Sequence, residues 1–206
     1  AFMSMIGNQI LNEVVLQRGI IEADTILDEL HIGIRNALRQ DISKNTDGMD
    51  VALVVIDYTR QIMEFAGAKN PIYYIQNNEI HKIKGNIFPI GGIQMGIERK
   101  FSKHIIDIST PTTFYLLSDG FQDQFGGSEN RKFMVSNLVK LLLEIHLKDL
   151  NEQHHILLNT IQQWMKTART PQTDDIMLIG ARVGFHHHNK VIQPNTTHAF
   201  IPVSQP

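Results

Sequence analysis

The sequence predicts an α+β domain in which two pairs of helices flank a series of short strands. Apolar residues recur at helical spacing through the first 42 residues. Short apolar runs separated by turn residues then follow one another from Val51 to Leu117. Helical spacing returns between Val135 and Ala168, and a final apolar run extends from Asp175 to Val183. This order indicates layers of helix and sheet, and not alternating βαβ units.

The composition indicates a soluble, globular protein with one substantial core. The chain has 206 residues, of which 42% are hydrophobic and 19% charged. A net charge of −2 gives no electrostatic drive toward nucleic acid or anionic membranes, so we expect no nucleic-acid partner. No apolar run approaches the ~18 residues of a membrane span. The absence of cysteine excludes disulfides and thiolate zinc sites and fits a cytoplasmic location.

The first helix of the predicted N-terminal pair begins with the first residues of the chain. Its apolar face comprises Met3, Ile6, Ile10 and Val14. Asp24 is the predicted N-cap of the second helix. The apolar stripe of that helix comprises Leu27, Leu30, Ile34, Leu38 and Ile42.

The strand region begins with a predicted hairpin. Val51–Ile56 and Gln61–Ala66 are its strands, and Asp57–Arg60 is its turn. Further short strands are predicted at Ile72–Ile75, Ile80–Ile83, His104–Ile108 and Thr113–Leu117. Gly67 is predicted to adopt a left-handed conformation in the turn that follows the hairpin. The segment from Pro89 to Gly96 is either a mobile flap over a site or a plain surface loop.

Two aspartate motifs stand where predicted buried strands meet loops. Ser118-Asp119-Gly120 closes one apolar run, and Thr173-Asp174-Asp175 opens another. Carboxylates in such places suit hard divalent cations such as Mg²⁺ and Mn²⁺, which prefer oxygen ligands. Aspartates also mark ordinary turns and strand caps, so the spacing alone leaves both interpretations open.

Six motifs in a fixed order connect the chain to a known family. They are Ala-Phe-Met-Ser at 1–4, Asp-Gly-Met-Asp at 47–50, Phe-Ala-Gly-Ala-Lys-Asn-Pro at 65–71, Leu-Ser-Asp-Gly-Phe at 117–121, Asp-Gln-Phe-Gly-Gly at 123–127 and Thr-Asp-Asp-Ile at 173–176. Together they resemble the metal-dependent protein phosphatases (PPM), in their bacterial SpoIIE-type branch. The resemblance covers residues 1–183, and residues 184–206 are predicted to form a flexible tail.

The resemblance implies a fold of two antiparallel sheets packed face to face with helices outside. It implies a protein serine/threonine phosphatase that uses two Mn²⁺ or Mg²⁺ ions and an activated water. By position, Asp119 and Asp174 are implied to be catalytic, and Asp119, Gly120 and Asp174 to form the metal site. Asp175 is implied to act from a second shell, and Asp123 to do the same or to hold an additional metal. Asp123 equally suits a cap on the turn at Gly126-Gly127.

The resemblance also implies partners and a limit on activity. Such domains are signalling outputs with a sensor or regulatory domain upstream, and their substrates include phosphorylated anti-sigma-factor antagonists. In the family, an Asp-x-x-Gly-His-Gly motif directly precedes Ala-Phe-Met-Ser, and its aspartate bridges both metals. The sequence begins just after that position. We therefore expect the domain to be incomplete at its N-terminus and this chain alone to have little or no activity.

Other interpretations remain open. The second hypothesis is a non-catalytic partner-binding or dimerisation module on the same fold, and the intact Asp119 and Asp174 argue against it. The first helix is a candidate homodimer element, although core packing explains its apolar face as well. Asp50 is expected to bond local amides. His186-His187-His188 is expected to bind metals only adventitiously.

Overall fold

The computed structural model describes residues 2–93 and 98–184. The predicted tail, with His186-His187-His188, lies outside these residues except for Gly184, and so do residues 94–97 of the candidate flap. The chain divides into two compact units, which we describe separately. Unit 1 comprises Ala1–Ile72 and Ile83–Ser109, and unit 2 comprises Tyr73–Lys82 and Thr110–Pro206.

The helices and strands are numbered in chain order. The α-helices are α1 (Phe2–Asn12), α2 (Ala23–Ala37), α3 (Gly120–Asp123), α4 (Val135–Ile145) and α5 (Leu150–Ala168). The strands are β1 (Gly48–Met49), β2 (Val51–Asp57), β3 (Ile62–Ala68), β4 (Ile72–Gln76), β5 (Glu79–Ile83), β6 (Ile90–Gly91), β7 (His104–Asp107), β8 (Thr112–Leu117), β9 (Phe125–Gly126), β10 (Arg131–Lys132) and β11 (Leu178–Val183). Helix α1 continues directly into a π-helical turn, Glu13–Gln17.

Unit 1 is a helix pair on a three-stranded antiparallel sheet. The sheet order is β2-β3-β7, and the predicted β2–β3 hairpin is confirmed, with Asp57 opposite Ile62. The Asp57 carboxylate accepts hydrogen bonds from the backbone N–H groups of Thr59 and Arg60, which closes the turn. Burial of an amphipathic helix face against the sheet supplies the core. Its buried members are Ala23, Leu27, Leu30, Ile34, Ala66, Ala68, Ile90 and Phe101.

The start of α2 differs from the prediction. Helix α2 begins at Ala23 after Glu22, so Asp24 lies in the first turn and is not the N-cap. The Ala23 N–H donates instead to Glu64 Oε2 at 3.1 Å, from the neighbouring strand β3. Glu64 is 5% exposed, and a buried carboxylate at this place satisfies a helix N-terminal donor and complements the helix dipole. A long-range contact therefore replaces the local cap.

The end of α2 is also earlier than its apolar stripe predicts. The helix ends at Ala37, and Arg39 adopts a left-handed φ of 51°, which turns the chain away from the helix. Ile42 consequently lies beyond the helix and is 82% exposed. The prediction that the apolar stripe of α2 extends to Ile42 was wrong, because apolar residues recur at helical spacing in the sequence beyond Ala37, where the helix ends.

The described part of the candidate flap is held by side chains of unit 1. The backbone N–H groups of Gly91 and Gly92 donate to His31 Nδ1 and Gln40 Oε1, both at 3.0 Å. Arg35 donates to the Gly92 carbonyl at 2.9 Å, and Arg99 donates to the Gly91 carbonyl at 2.8 Å. Residues 89–93 are therefore fastened to α2 and are not a free loop.

The turn after β3 contains a second correction. Gly67 lies inside β3 without a left-handed φ, and Lys69 takes that conformation instead, with φ of 62°. Gly67 is needed for space, because a Cβ there would lie 2.4 Å from the Asn70 carbonyl oxygen.

Unit 2 places α4 and α5 against a four-stranded sheet of order β11-β8-β4-β5. Strands β8 and β11 are antiparallel and pair over their full lengths, from Leu117 opposite Leu178 to Thr112 opposite Val183. The helix pair and the final strand were predicted, although β11 begins two or three residues later than its apolar run. The buried core comprises Tyr73, Ile75, Tyr115, Leu117, Phe121, Phe133, Leu138, Leu142, Ile145, Leu157, Ile161, Ile176 and Leu178.

Candidate functional site

The two aspartate motifs meet at one end of the β8–β11 pair. Because Leu117 ends β8 opposite Leu178, which begins β11, the residues just beyond both strands are neighbours. Ser118 connects them. Its backbone N–H donates to the Met177 carbonyl at 3.0 Å, and its hydroxyl donates to the Asp175 carbonyl at 2.8 Å and accepts from Met177 N–H at 3.0 Å. These bonds fasten the loop containing Asp174 to the end of β8.

Gly120 permits the close approach of the two segments. A Cβ at this position would lie 2.4 Å from the Asp175 carbonyl oxygen and 2.9 Å from its carbonyl carbon. Both atoms belong to the backbone and cannot swing aside as a flexible side chain would. Gly120 therefore serves the site through the absence of a side chain.

The Asp119 carboxylate is not used by the local turn. Asp119 precedes the short helix α3, yet its side chain makes no capping hydrogen bond. Asp174 and Asp175 are also exposed, and one Asp174 oxygen accepts from the Asp175 N–H at 2.7 Å. Within residues 2–93 and 98–184, none of the three carboxylates forms an ion pair with a basic side chain. No basic side chain of the described residues therefore compensates their negative charge at this end of the sheet.

Asp123 has a different environment. Its carboxylate lies 3.1 Å from Lys132 Nζ, and both side chains are about half exposed. The Asp123 N–H donates to the Asp119 carbonyl at 3.0 Å within α3. Lys132 therefore neutralises Asp123, in contrast to the three carboxylates above.

Gln124 is a residue that the sequence analysis quoted in a motif but did not consider. Its side chain is completely buried. Its Nε2 donates to the carbonyls of Phe125 and Pro171, both at 3.0 Å, and its Oε1 accepts from Thr173 N–H at 3.1 Å. The available signal for Gln124 was a polar amide next to the apolar residues of the Asp-Gln-Phe-Gly-Gly motif, because such an amide needs buried partners. The role of Ser118 was also not considered in the sequence analysis.

The two glycines that follow Gln124 pack against Trp164 of α5. A Cβ on Gly126 would lie 2.3 Å from the Trp164 carbonyl oxygen, and one on Gly127 would lie 2.5 Å from its indole ring. Trp164 also accepts a hydrogen bond at its carbonyl from Gly127 N–H, at 2.8 Å. The motif thus anchors the region after α3 to the helix pair.

Other candidates do not join a site. Asp50, in unit 1, lies 3.8 Å from Lys69 Nζ, which agrees with a structural role. Within residues 2–93 and 98–184, no three His, Asp or Glu side chains converge closely enough to hold a metal ion. Every helix in the same residues is too short or too polar to cross a lipid bilayer.

The family model for Stage II sporulation protein E (SpoIIE) matches residues 1–184. The chain belongs to the SpoIIE family. A comparison with curated protein sequences found no match. The family match spans both units, including all six motifs that carried the resemblance.

Solved structures agree with this SpoIIE assignment. The SiaA-PP2C domain of Pseudomonas aeruginosa is similar with a TM-score of 0.77 and 27% identity, over 90% of this chain and 70% of that one. The SpoIIE phosphatase domain from Bacillus subtilis has a TM-score of 0.51 and 14% identity, over 89% and 76% of the two chains. The catalytic domain of the serine/threonine phosphatase PstP, in complex with two manganese ions, has a TM-score of 0.54 and 14% identity, over 88% and 81%.

These similarities confirm the predicted fold class, with mixed helices and antiparallel sheets of the PPM phosphatase type. They establish this SpoIIE member as a PPM-type phosphatase domain. Manganese accompanies two of the similar structures, since PstP was solved in complex with two manganese ions and the Bacillus subtilis SpoIIE phosphatase domain after presoaking with Mn.

Proposed function

We propose that this chain carries the catalytic centre of a metal-dependent protein serine/threonine phosphatase. The observation that carries the proposal is that the backbone of the Asp119 motif contacts the backbone of the Asp174-Asp175 motif at one end of the sheet. All three aspartates are exposed, and none is paired with a basic side chain of residues 2–93 and 98–184. Carboxylates grouped without compensation repel one another, and a divalent cation relieves that repulsion. An ordinary turn would use the Asp119 side chain as a cap, which this one does not.

The donor set fits Mn²⁺ or Mg²⁺. Both ions prefer carboxylate and carbonyl oxygen, and Asp119, Gly120 and Asp174 offer no softer ligand. When bound, such ions neutralise charge on the phosphoryl oxygens and lower the pKa of the water that attacks phosphorus. Direct attack by water transfers the phosphoryl group to that water and releases the serine or threonine hydroxyl, so the chain needs no nucleophilic side chain.

The residues of the chain have distinct tasks in this proposal. Asp119 and Asp174 supply ligand oxygens, and Gly120 supplies backbone close to them. The Asp175 N–H orients one oxygen of Asp174, at 2.7 Å. The Asp175 carboxylate forms no ion pair with the described part of the chain and would orient water from a second shell. Asp123 would serve a second shell or an additional metal only if Lys132, at 3.1 Å, moved away.

The described residues supply too few carboxylate ligands for a two-metal site. Two carboxylates are too few to hold two divalent ions, and no third converges with them in residues 2–93 and 98–184. We therefore propose that turnover requires further ligands, such as the aspartate of an Asp-x-x-Gly-His-Gly motif, and that the chain alone has little or no activity.

The biological setting is proposed from the relatives. One similar structure is the PP2C domain of SiaA, and another is PppA, a key regulatory component of T6SS; both proteins are from Pseudomonas aeruginosa. We propose that this domain is likewise a cytoplasmic signalling output, joined to a sensor or regulatory region. Its proposed substrate is a phosphorylated protein such as an anti-sigma-factor antagonist, and its proposed homodimer contact is α1.

Mn²⁺-dependent hydrolysis of a phosphoserine peptide tests the proposal. The assay compares this 206-residue chain, a longer version with the Asp-x-x-Gly-His-Gly motif upstream, and that longer version with Asp119→Asn. Glu129→Gln is the matched control, because it also removes one exposed carboxylate from unit 2, at a residue paired with Arg131 at 3.1 Å. We expect the longer version and the control to be active and Asp119→Asn to lose at least about 100-fold in rate.

The alternative is a non-catalytic partner-binding module on the same fold. It would be favoured if the longer version folded, as judged by a cooperative unfolding transition, but neither bound Mn²⁺ nor hydrolysed the peptide. Equal activity of Asp119→Asn and Glu129→Gln would instead disprove the role of Asp119 while leaving the phosphatase activity in place.

A further inference from the structure

The Gln124 side chain connects α3 to the loop that carries Asp174. It directly follows α3, which begins after Asp119, and its amide contacts Pro171 and Thr173 across 47 and 49 residues of sequence. Both ends of the amide are used, since Nε2 donates to two carbonyls and Oε1 accepts from Thr173 N–H. The Thr173 hydroxyl also approaches the same Oε1, at 3.4 Å.

This contact supplies the second of two anchors on the Asp174 loop. The first is Ser118, which holds the Asp175 carbonyl and the Met177 N–H on the C-terminal side of Asp174. Gln124 holds Thr173, immediately on the N-terminal side. The Asp174 backbone thus lies between two fixed points, and both points belong to the segment that carries Asp119.

The Asp174 carboxylate has few constraints of its own. It is exposed, and the contact that orients it is the N–H of the adjacent Asp175. Its position relative to Asp119 is therefore set through the backbone, by the residues that hold the loop. A completely buried amide with partners at both ends provides such a hold, because breaking these hydrogen bonds would leave the Gln124 amide buried and unsatisfied.

We propose that Gln124 is a positioning residue that fixes Asp174 against Asp119 for metal binding. The inference rests on the proposed function and adds a specific residue to it. Gln124 does not touch the metal or the substrate. It keeps the loop tethered on both sides, so that the two carboxylates meet the ion without a further ordering step.

The test is the Mn²⁺ affinity of Gln124→Leu, measured by electron paramagnetic resonance of free Mn²⁺ on the longer, folded version of the chain. Leucine has a similar size and removes every hydrogen bond of the amide. Residues that orient metal ligands typically change affinity by about 10- to 100-fold when replaced. We expect a loss of roughly 10-fold or more in Mn²⁺ affinity, together with faster amide hydrogen exchange at residues 172–175.

Gln153→Leu is the matched control. Gln153 is also buried, at 2% exposure, and its amide donates to the His146 and Lys148 carbonyls and accepts from the Tyr115 hydroxyl at 2.8 Å. It belongs to the same unit but holds the turn between α4 and α5. Gln153→Leu should lower the urea midpoint as much as Gln124→Leu does and leave the Mn²⁺ affinity unchanged.

The outcomes separate this inference from the proposed function. Weaker Mn²⁺ binding by Gln124→Leu and not by Gln153→Leu supports it. Equal Mn²⁺ affinity of the wild type and Gln124→Leu overturns the inference and leaves the phosphatase proposal intact. An equal loss of Mn²⁺ affinity in Gln124→Leu and Gln153→Leu also overturns the inference, because it would indicate general destabilisation. A wild-type protein that binds no Mn²⁺ would overturn the proposed function and this inference with it.

Discussion

Replacing Gly120 with alanine is expected to destabilise unit 2, although alanine is the better helix former. The added Cβ would lie 2.4 Å from the Asp175 carbonyl oxygen, whereas Cβ atoms in real structures stay at least 3.0 Å away. The carbonyl must therefore move, and it is the same carbonyl that accepts from the Ser118 hydroxyl at 2.8 Å. If the Asp175 carbonyl moves far enough to relieve the clash, it loses its hydrogen bond with Ser118.

The magnitude follows from three terms. Overpacking against backbone costs about 1–3 kcal/mol. The lost hydrogen bond from Ser118 costs about 0.5–1.5 kcal/mol more. Alanine gains at most about 1 kcal/mol in helix propensity, and less here because Gly120 is the first residue of a four-residue helix. The two unfavourable terms prevail, so Gly120→Ala should lower the free energy of unfolding by about 1–4 kcal/mol.

Urea denaturation followed by circular dichroism measures this change. Gly7→Ala in α1 is the control, because its Cβ would meet the Met49 Cε atom at 2.9 Å, which is the end of a flexible side chain. We expect Gly7→Ala to be neutral or stabilising by up to about 1 kcal/mol. The reasoning would be refuted if Gly120→Ala matched the wild type to within about 0.5 kcal/mol.

Two further predictions concern unit 1. Glu64→Gln keeps an acceptor for the Ala23 N–H but removes the negative charge at the α2 N-terminus and the ion pair with Lys103 Nζ, which lies 3.5 Å away. The free energy of unfolding should therefore fall by about 1–2 kcal/mol. An unchanged urea midpoint would contradict this prediction. The pKa of Asp57 is lowered, first by the Arg60 N–H and then by its side chain. Its ionised form therefore stabilises the fold at pH values above the unfolded pKa of about 3.9, and the stability deficit of Asp57→Asn should shrink as the pH falls from there through the lowered folded pKa. A deficit that stays constant between about pH 5 and about pH 2 would argue against this cause.

The elements that sequence predicted well are those with local signals. Apolar runs located β8 and β11, and the strand-end positions of Asp119 and Asp174 followed from them, because paired antiparallel strands bring opposite chain ends together. The six motifs carried the family assignment, which the family model confirms. The roles of these aspartates at a metal remain predictions.

What sequence did not reveal depends on contacts between distant residues. Asp24 carried the local signal of a helix cap, yet Glu64, 41 residues from Ala23, makes the hydrogen bond. Gln124 and Ser118 hold a loop that follows about 50 residues later, and neither position shows a periodicity or spacing that reports this. Such partners are set by tertiary packing, which overrides local preference.

The place of β11 in the sheet has a consequence for the order of assembly. It is an outer strand of its sheet, and it pairs with β8, which precedes it by some 60 residues. During synthesis, Asp119 is therefore complete well before Asp174 exists, and the two cannot meet until the outer strand docks. A nascent or partly unfolded chain would have only one of the two carboxylates in place. If both carboxylates bind the metal as proposed, Mn²⁺ affinity would rise only once β11 has paired with β8, and Mn²⁺ binding would report that pairing.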